Sequence, residues 1–156
     1  MSGLCEELAA NYPGVAVETI PGVSAVLSGA AILGAPLMHD FAVISLSDLM
    51  TPWAVIEKRL RAAAAADFVL CLYNPSSHKR KDYLARACDV VLMSASPDTV
   101  CGVAQNIGRD GENTRIMTLK ELRDTPVDMF STVFIGNSQT KVVGGKMVTP
   151  RGYDHD

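Results

Sequence analysis

The sequence contains little of what several large classes of protein depend on. Its four cysteines form no Cys-x-x-Cys spacing. Its three histidines, His39, His78 and His155, lie too far apart to predict a metal site. No apolar run approaches the roughly 20 residues that cross a bilayer. The net charge of −3 gives no electrostatic basis for binding nucleic acid or an anionic membrane.

Short motifs of the common enzyme classes are absent as well. There is no GxSxG, P-loop, HExxH or GxGxxG sequence, which excludes the usual hydrolases, NTPases, metalloproteases and dinucleotide enzymes. At least two of the cysteines lie inside apolar runs. This position favours buried, reduced thiols in a cytoplasmic protein over a disulfide framework.

What the sequence does contain is an alternation of helical and extended patterns. Helices are predicted at residues 23–33, 51–66 and 80–93. Strands are predicted at residues 15–19, 41–46, 67–72 and 100–106, followed by 115–119, 132–135 and 141–143 with little helix between them. The pattern predicts an α/β fold with a mixed, partly antiparallel sheet flanked by helices.

Three local features refine this prediction. The strand at residues 41–46 is nearly all apolar, so we expect it to be buried on both faces. Gly144-Gly145 suggests a closing hairpin or a bulge. The chain also opens with Leu4, Leu8 and Tyr12 on one helical face, so we expect it to be part of a longer or fused protein.

Two strand-to-helix or strand-to-loop junctions could bind a ligand. In Pro21-Gly22-Val23-Ser24-Ala25, the amides of a helix N-terminus can hold a polar group, although Ser24 could equally only cap that helix. Tyr73-Asn74 follows a strand at its carboxyl end, where open α/β sheets form ligand crevices. The alternative is an Asn-Pro turn with Tyr73 in the core.

Residues 105–109 and 136–140 end two further strands with Asn, Gly and small polar residues. Together with residues 73–77 they predict one shared rim around a ligand. The basic run at residues 78–81 is either a solvated helix start or a clamp for a polycarboxylate ligand.

The order of these segments is more specific than any one of them. PGVSA, LGAPLMHDFAVISLSD, TPWAVIEKRL, DFVLCLYNPSS, IGRDGE, TVFIGNSQT and MVTPRGY together resemble the tetrapyrrole methylases over nearly the whole chain. HDFAVISLSDLMTPW is similar to the branch that methylates C17 of precorrin-3B and contracts the ring. The resemblance implies a cytoplasmic enzyme dependent on S-adenosylmethionine (SAM), usually a homodimer, with precorrin-3B or its cobalt form, cobalt-factor III, as substrate.

The resemblance also implies roles for particular residues. Cofactor contacts of the family fall on Ser24, Ala25, Tyr73, Asn74 and Gly108, although sibling methylases usually carry methionine in place of Asn74.

Ring contraction needs proton movement, for which Asp40, Asp48 and His39 are the nearest candidates. The alternatives are that Asp40 caps a turn and that Asp48 caps the helix beginning near Thr51.

The family's first strand, its Gly/Pro-rich loop and a Gly-Asp loop would precede Met1. Residues 1–36 are therefore expected to be a remnant of an N-terminal cofactor-binding domain, and residues 37–156 the C-terminal methylase domain. Most of the N-terminal domain would be lacking. Two functions follow: a corrin-ring methyltransferase, or a non-catalytic dimerisation or partner module of a split methylase.

Overall fold

A five-stranded sheet forms the centre of the computed structural model, which describes residues 2–77 and 81–153. Its strands follow the order β2-β3-β6-β4-β5. The elements are α1 (Ser2–Ala9), α2 (Ala25–Leu33), β1 (Gly34–Ala35), β2 (Phe41–Ser45), α3 (Trp53–Ala65), β3 (Val69–Tyr73), α4 (Tyr83–Val91), β4 (Val100–Gln105), β5 (Asn113–Thr118), α5 (Leu119–Arg123), β6 (Ser131–Ile135), β7 (Lys141–Val143) and β8 (Lys146–Val148).

The direction of the strands defines two edges of this sheet. β2 and β3 are parallel, whereas β6 lies antiparallel to both β3 and β4. β2, β3 and β4 therefore end at one edge, here called the carboxyl edge, and begin at the other, the amino edge. β6 begins at the carboxyl edge and ends at the amino edge. The predicted mixed sheet is confirmed.

Helices cover the two faces of the sheet unequally. Alternate residues of a strand point to opposite faces, so Leu70 and Leu72 of β3 join a core with α3, α4 and α5, whereas Cys71 joins a second core under α2. Burial of this apolar surface is the main favourable contribution to folding. The second core consists of Val26, Ala30, Leu33, Cys71, Ala104, Phe134 and Met147.

A second, three-stranded sheet closes the chain. β1 pairs with β8 in parallel, and β7 pairs with β8 as an antiparallel hairpin. Gly144 and Gly145 join the hairpin with φ angles of 56° and 77°, which glycine adopts at little cost. The predicted closing hairpin is confirmed.

Two of the strand predictions are wrong. Residues 15–19 form no strand, since no described strand pairs with them, and they lie mostly exposed. β2 is not buried on both faces because it is an edge strand whose second face α2 does not reach. Phe41 and Val43 there are 39% and 48% exposed. The remaining predicted elements are present, with ends shifted by a few residues.

The predicted domain boundary at residue 36 stays a prediction. α2, which precedes it, packs on the sheet formed by the residues that follow. His78, Lys79 and Arg80 of the basic run, and His155, lie outside the described residues.

Three of the four cysteines are buried, as the apolar runs predicted, and all four are free thiols. Burial raises the pKa of the Cys71 and Cys88 thiols to about 12, so both stay protonated at neutral pH. Cys5 lies exposed on α1. Within residues 2–77 and 81–153, no helix has the length and apolarity that crossing a membrane requires.

Candidate functional site

A cleft opens at the carboxyl edge, between the ends of β3 and β4 and the segment that leads into β6. Its cavity measures about 370 Å³. Two of the predicted rim segments meet here, after β3 and after β4, together with the first residue of α2. The lining residues are Ala25, Tyr73, Asn74, Asn106, Ile107, Arg109, Met129, Phe130, Ser131 and Thr132.

Tyr73 fixes the start of α2 against this cleft. Its hydroxyl accepts a hydrogen bond of 3.0 Å from the amide of Val26, in the first turn of α2. That bond satisfies one of the amides that a helix N-terminus leaves without an intrahelical partner. The Ser24 side chain makes no capping bond, so the alternative that Ser24 caps α2 through its hydroxyl is wrong. Ala25 and Tyr73 are thereby held together in the cleft wall.

Asn74 and Asn106 turn the chain away from the sheet at the ends of β3 and β4. Both have a φ of 53°, a left-handed conformation that asparagine tolerates better than most residues. The Asn74 side-chain amide donates to Ser45 Oγ at 3.0 Å, and that of Asn106 donates to the Gly111 carbonyl at 3.3 Å. Both loops therefore leave the sheet directly after their strands, and the cleft lies between the ends of β3 and β4.

Gly108 lies in the loop that forms the far wall of the cleft. Its φ is 68°, and its amide donates to the Glu112 carboxylate at 2.7 Å. A Cβ built at Gly108 would meet no atom within 4 Å, so its free side faces open space rather than core. Its neighbours Ile107 and Arg109 line the cleft.

The sequence did not point to the segment before β6 as part of the site. Met129 and Phe130 line the cleft, and the guanidinium carbon of Arg109 lies 5.6 Å from the centre of the Phe130 ring. The antiparallel direction of β6 brings its start, rather than its end, to this edge. The predicted mixed sheet was the one signal that could have found these residues.

Asp128 holds that segment in place. Its carboxylate accepts hydrogen bonds from Ser131 Oγ at 2.8 Å, the Phe130 amide at 3.0 Å and the Gln105 side chain at 2.7 Å. Burial raises the pKa of Asp128, but the hydrogen bonds outweigh it, so the pKa lies below its usual value. The ionised carboxylate therefore ties the loop to the end of β4.

Comparison with known proteins identifies the family of this chain. The family model of the tetrapyrrole (corrin/porphyrin) methylases matches residues 1–123. This chain belongs to the tetrapyrrole methylase family. The predicted fold class, an α/β methylase with a mixed sheet flanked by helices, is confirmed.

Individual relatives are similar along nearly the whole chain. A probable cobalt-factor III C(17)-methyltransferase of Salmonella typhimurium is 51% identical over 154 residues, covering 98% of this chain and 64% of the relative. The crystal structure of the methyltransferase CobJ superposes with a TM-score of 0.85 at 34% identity, covering 96% of this chain and 63% of CobJ. This chain therefore spans just under two thirds of the length of these relatives.

A more distant structure shares the fold alone. The uroporphyrin-III C-methyltransferase of Thermus thermophilus, complexed with S-adenosylhomocysteine, superposes with a TM-score of 0.58 at 19% identity. The match covers 86% of this chain and 56% of that structure.

The third predicted rim segment of this chain lies elsewhere. Residues 136–140 follow β6 at the amino edge, so the prediction of a single rim made by three strand ends is wrong for this segment. There the Asp67 carboxylate accepts bonds from the Ser138 amide at 2.8 Å and hydroxyl at 2.6 Å. The Thr140 and Thr149 hydroxyls lie 2.8 Å apart. These polar groups bind one another.

The three predicted acid–base candidates, His39, Asp40 and Asp48, also lie at different edges of the sheet. His39 and Asp40 precede β2 and line a small pocket with Asp67 at the amino edge. A five-residue strand separates them from the carboxyl edge by roughly 16 Å. Asp48 follows β2 at the carboxyl edge, the edge of the cleft.

Asp48 is anchored by aromatic residues. Its carboxylate accepts a bond of 2.6 Å from the Tyr83 hydroxyl, which raises the pKa of Tyr83. The Tyr83 ring centre lies 4.8 Å from that of Trp53, and the Arg86 guanidinium carbon lies 4.0 Å from the Trp53 ring. α3 begins after Pro52 with no side-chain cap, so the alternative that Asp48 caps this helix is wrong.

Proposed function

We propose that this chain belongs to a SAM-dependent methyltransferase that methylates C17 of precorrin-3B, or of its cobalt form cobalt-factor III, with ring contraction, and that the cleft at its carboxyl edge contributes to cofactor binding. The observation that carries the proposal is the convergence of Ala25, Tyr73 and Asn74 around one cleft. Those residues were singled out by a resemblance to SAM-binding enzymes. The 51% identity to a probable cobalt-factor III C(17)-methyltransferase supports the choice of substrate.

The cleft fits the chemistry of such a cofactor. SAM combines a flat base, a ribose and a charged amino-acid end, and the cleft offers both apolar and amide-bearing walls. Ile107 and Phe130 provide apolar surface, whereas Asn74 and Asn106 provide amide groups. Its volume of about 370 Å³ falls within the range of roughly 300–1,000 Å³ typical of small-molecule sites. Ser24 and Gly108 flank the cleft, and we assign them to the same site.

In this reaction the protein mainly has to bind the two reactants and orient them. When bound, SAM supplies an activated methyl group that an electron-rich ring carbon can accept. Tyr73 holds the first turn of α2 in place, and Asn74 ties the end of β3 to that of β2 through Ser45. Holding reactants in an aligned geometry can by itself supply about 7–11 kcal/mol of the barrier reduction.

Ring contraction also requires a group that moves protons. We propose Asp48 for this role because it lies at the carboxyl edge and the Tyr83 hydroxyl holds its carboxylate. His39 and Asp40 stay predictions, and their place at the amino edge separates them from the cleft.

Methyl transfer is the direct test. The purified chain is incubated with SAM and either precorrin-3B or cobalt-factor III, and the products are analysed by mass spectrometry. One added methyl group on the ring-contracted product is expected, with a matching release of S-adenosylhomocysteine. Release of S-adenosylhomocysteine without methylated ring, or no release by a folded chain, would contradict the proposal.

A second candidate function rests on the surface of α1. None of its residues is buried, and Leu4, Leu8 and Tyr12 lie 52%, 54% and 63% exposed on it and on the turn that follows. A surface of this kind marks a site of association. We propose that it joins a second copy of the chain in a homodimer, in the cytoplasm.

Sedimentation separates this candidate from the first. The wild-type chain is expected to sediment as a dimer and Leu8→Asp as a monomer, whereas Leu27→Asp on exposed α2 surface is the control that stays dimeric. A wild-type monomer at every concentration would rule out the dimer. A dimer that binds no cofactor would favour the non-catalytic module over the enzyme.

A further inference from the structure

A second cavity lies beside the cofactor cleft. It is a groove of about 570 Å³ between the loop after β3, the start of α4 and the segment from α5 to β6. Met129 and Phe130 line both the groove and the cleft, and so form the wall that divides them. A ligand lying across this wall would reach both cavities.

Two large apolar side chains are exposed together on the dividing wall. Met129 is 62% exposed and Phe130 is 54% exposed. On the groove side, Leu84, Pro126 and Val127 extend the apolar surface. Adjoining apolar residues left open beside a ligand cleft mark a surface that a further ligand covers.

A cation stands on each side of this wall. Arg109 lies on the cleft side, with its guanidinium near the Phe130 ring. Lys81 lies on the groove side, and no residue within the described ranges forms an ion pair with it. An apolar strip between two cations suits a flat apolar molecule with carboxylates on its rim, since lysine and arginine bind carboxylates through charge-assisted hydrogen bonds.

The acidic residues of the groove do not oppose such a ligand strongly. Asp124 is paired with Arg123 at 2.9 Å, and Arg123 also holds Asp89 at 2.6 Å. Asp128 accepts the three bonds that close the loop before β6. Both carboxylates are therefore already held by partners within the protein, whereas Lys81 has no ion-pair partner among the described residues.

We propose that the wall formed by Met129 and Phe130, with the groove beside it, binds the tetrapyrrole. The macrocycle lies over the apolar pair, and its peripheral carboxylates reach Lys81 on one side and Arg109 on the other. The inference rests on the proposed function, because it places the substrate next to the cofactor cleft. It adds four residues that the resemblance did not supply.

The test is a fluorescence titration of the whole chain with uroporphyrin I, a soluble tetrapyrrole that carries carboxylates around its ring. Lys81→Gln is compared with Lys120→Gln, an exposed lysine at the amino edge. Met129→Ala is compared with Met93→Ala, which has a similar exposed fraction of 64% and follows α4 at the amino edge. Circular dichroism confirms that each variant is folded.

We expect Lys81→Gln to weaken uroporphyrin binding by about fivefold at low salt, and by less at high salt, because the lost interaction is a screened charge pair. Met129→Ala should weaken it by about fivefold at either salt concentration, because the lost interaction is apolar contact. The two control variants should bind as the wild type does.

Three results would overturn the inference. They are equal weakening by a variant and its control, a Lys81→Gln effect that salt does not reduce, and no uroporphyrin binding by a folded chain. Titration with S-adenosylhomocysteine keeps the two proposals separate. If the chain binds S-adenosylhomocysteine but none of the groove variants alters uroporphyrin binding, the groove fails and the cofactor cleft stands.

Discussion

The two edges of the central sheet have similar residues in their turns but differ in the side chains that surround their cavities. Each edge carries Asn, Asp and Gly turns. Each also has non-glycine residues in the left-handed conformation, Asn74 and Asn106 at the carboxyl edge and Asp67 at the amino edge. At the amino edge the Asp67 carboxylate binds Ser138, and both residues line a cavity of about 310 Å³. At the carboxyl edge the turns after β3 and β4 surround a cleft.

The difference arises from topology rather than from composition. β6 runs against β3 and β4, so the polar turn that follows it packs at the amino edge. The apolar segment that precedes it, Met129 and Phe130, faces the cleft instead. Similar turn sequences therefore border cavities with different walls. Polar side chains bonded to one another line the amino edge, whereas the apolar segment before β6 lines the cleft at the carboxyl edge.

Gly136→Ala should produce the largest loss of stability. A Cβ at Gly136 would lie 2.5 Å from the Thr140 Cβ and 2.6 Å from its Oγ1, and overpacking of this kind costs about 3 kcal/mol. Urea unfolding measures the loss. Gly108→Ala at the carboxyl edge, where a Cβ meets nothing, should cost about 1 kcal/mol through its left-handed backbone alone. Equal losses would show that the two edges are packed alike.

The pair Asp48→Asn and Asp40→Asn tests which edge carries the acid–base chemistry. Removing a general acid or base typically lowers a rate by about 100-fold or more. We expect that loss of ring-contracted product for Asp48→Asn, with unchanged affinity for S-adenosylhomocysteine, and normal turnover for Asp40→Asn. The rate is measured in the methyl-transfer assay. The reverse ranking would assign the chemistry to the amino edge.

Tyr73→Phe tests whether the hydroxyl organises the cleft. Without it the Val26 amide loses its acceptor, and the free energy of unfolding should fall by about 1 kcal/mol. The first turn of α2 is then held less firmly beside the cleft, so the affinity for S-adenosylhomocysteine should fall as well. Urea unfolding and calorimetric titration provide the two measurements, and Tyr153→Phe on exposed surface is the control. A loss of stability without loss of affinity would leave Tyr73 a purely structural residue.

The smallest expected effect is on acid stability. The folded pKa of Asp128 is lowered, so its contribution to stability is present above the unfolded value of about 4 and is lost as the pH falls through the folded pKa. Carbon NMR titration of Asp128 reads this pKa directly. Gln105→Ala removes one donor and should raise it, whereas an Asp128 pKa at or above its ordinary value in the wild type would contradict the account of this loop.

The sequence predicted much of the fold because its signals are local. Pro52 and the apolar spacing of Ile56 and Leu60 specify α3 without reference to anything distant. Strand β2 shows where local signals are insufficient, since an apolar run does not reveal whether a helix covers the second face of the strand.

The site was predicted in part for the same reason. Tyr73 and Asn74 follow a strand directly, and position at a strand end is visible in sequence. The contribution of Met129 and Phe130 depends on the direction of β6, which only long-range pairing determines. The division of Asp48 from Asp40 likewise follows from the length of β2, across which a single sequence motif extends.

The most direct test of the central claim is calorimetric titration with S-adenosylhomocysteine of the wild type, Asn74→Gly and Asp67→Gly. Glycine accepts the left-handed backbone at both positions, so each substitution removes only a side chain. We predict micromolar binding by the wild type, about tenfold weaker binding by Asn74→Gly, and wild-type affinity with about 2 kcal/mol lower stability for Asp67→Gly. No binding by the folded wild type, or weaker binding by Asp67→Gly alone, would contradict the assignment of the carboxyl edge as the cofactor site.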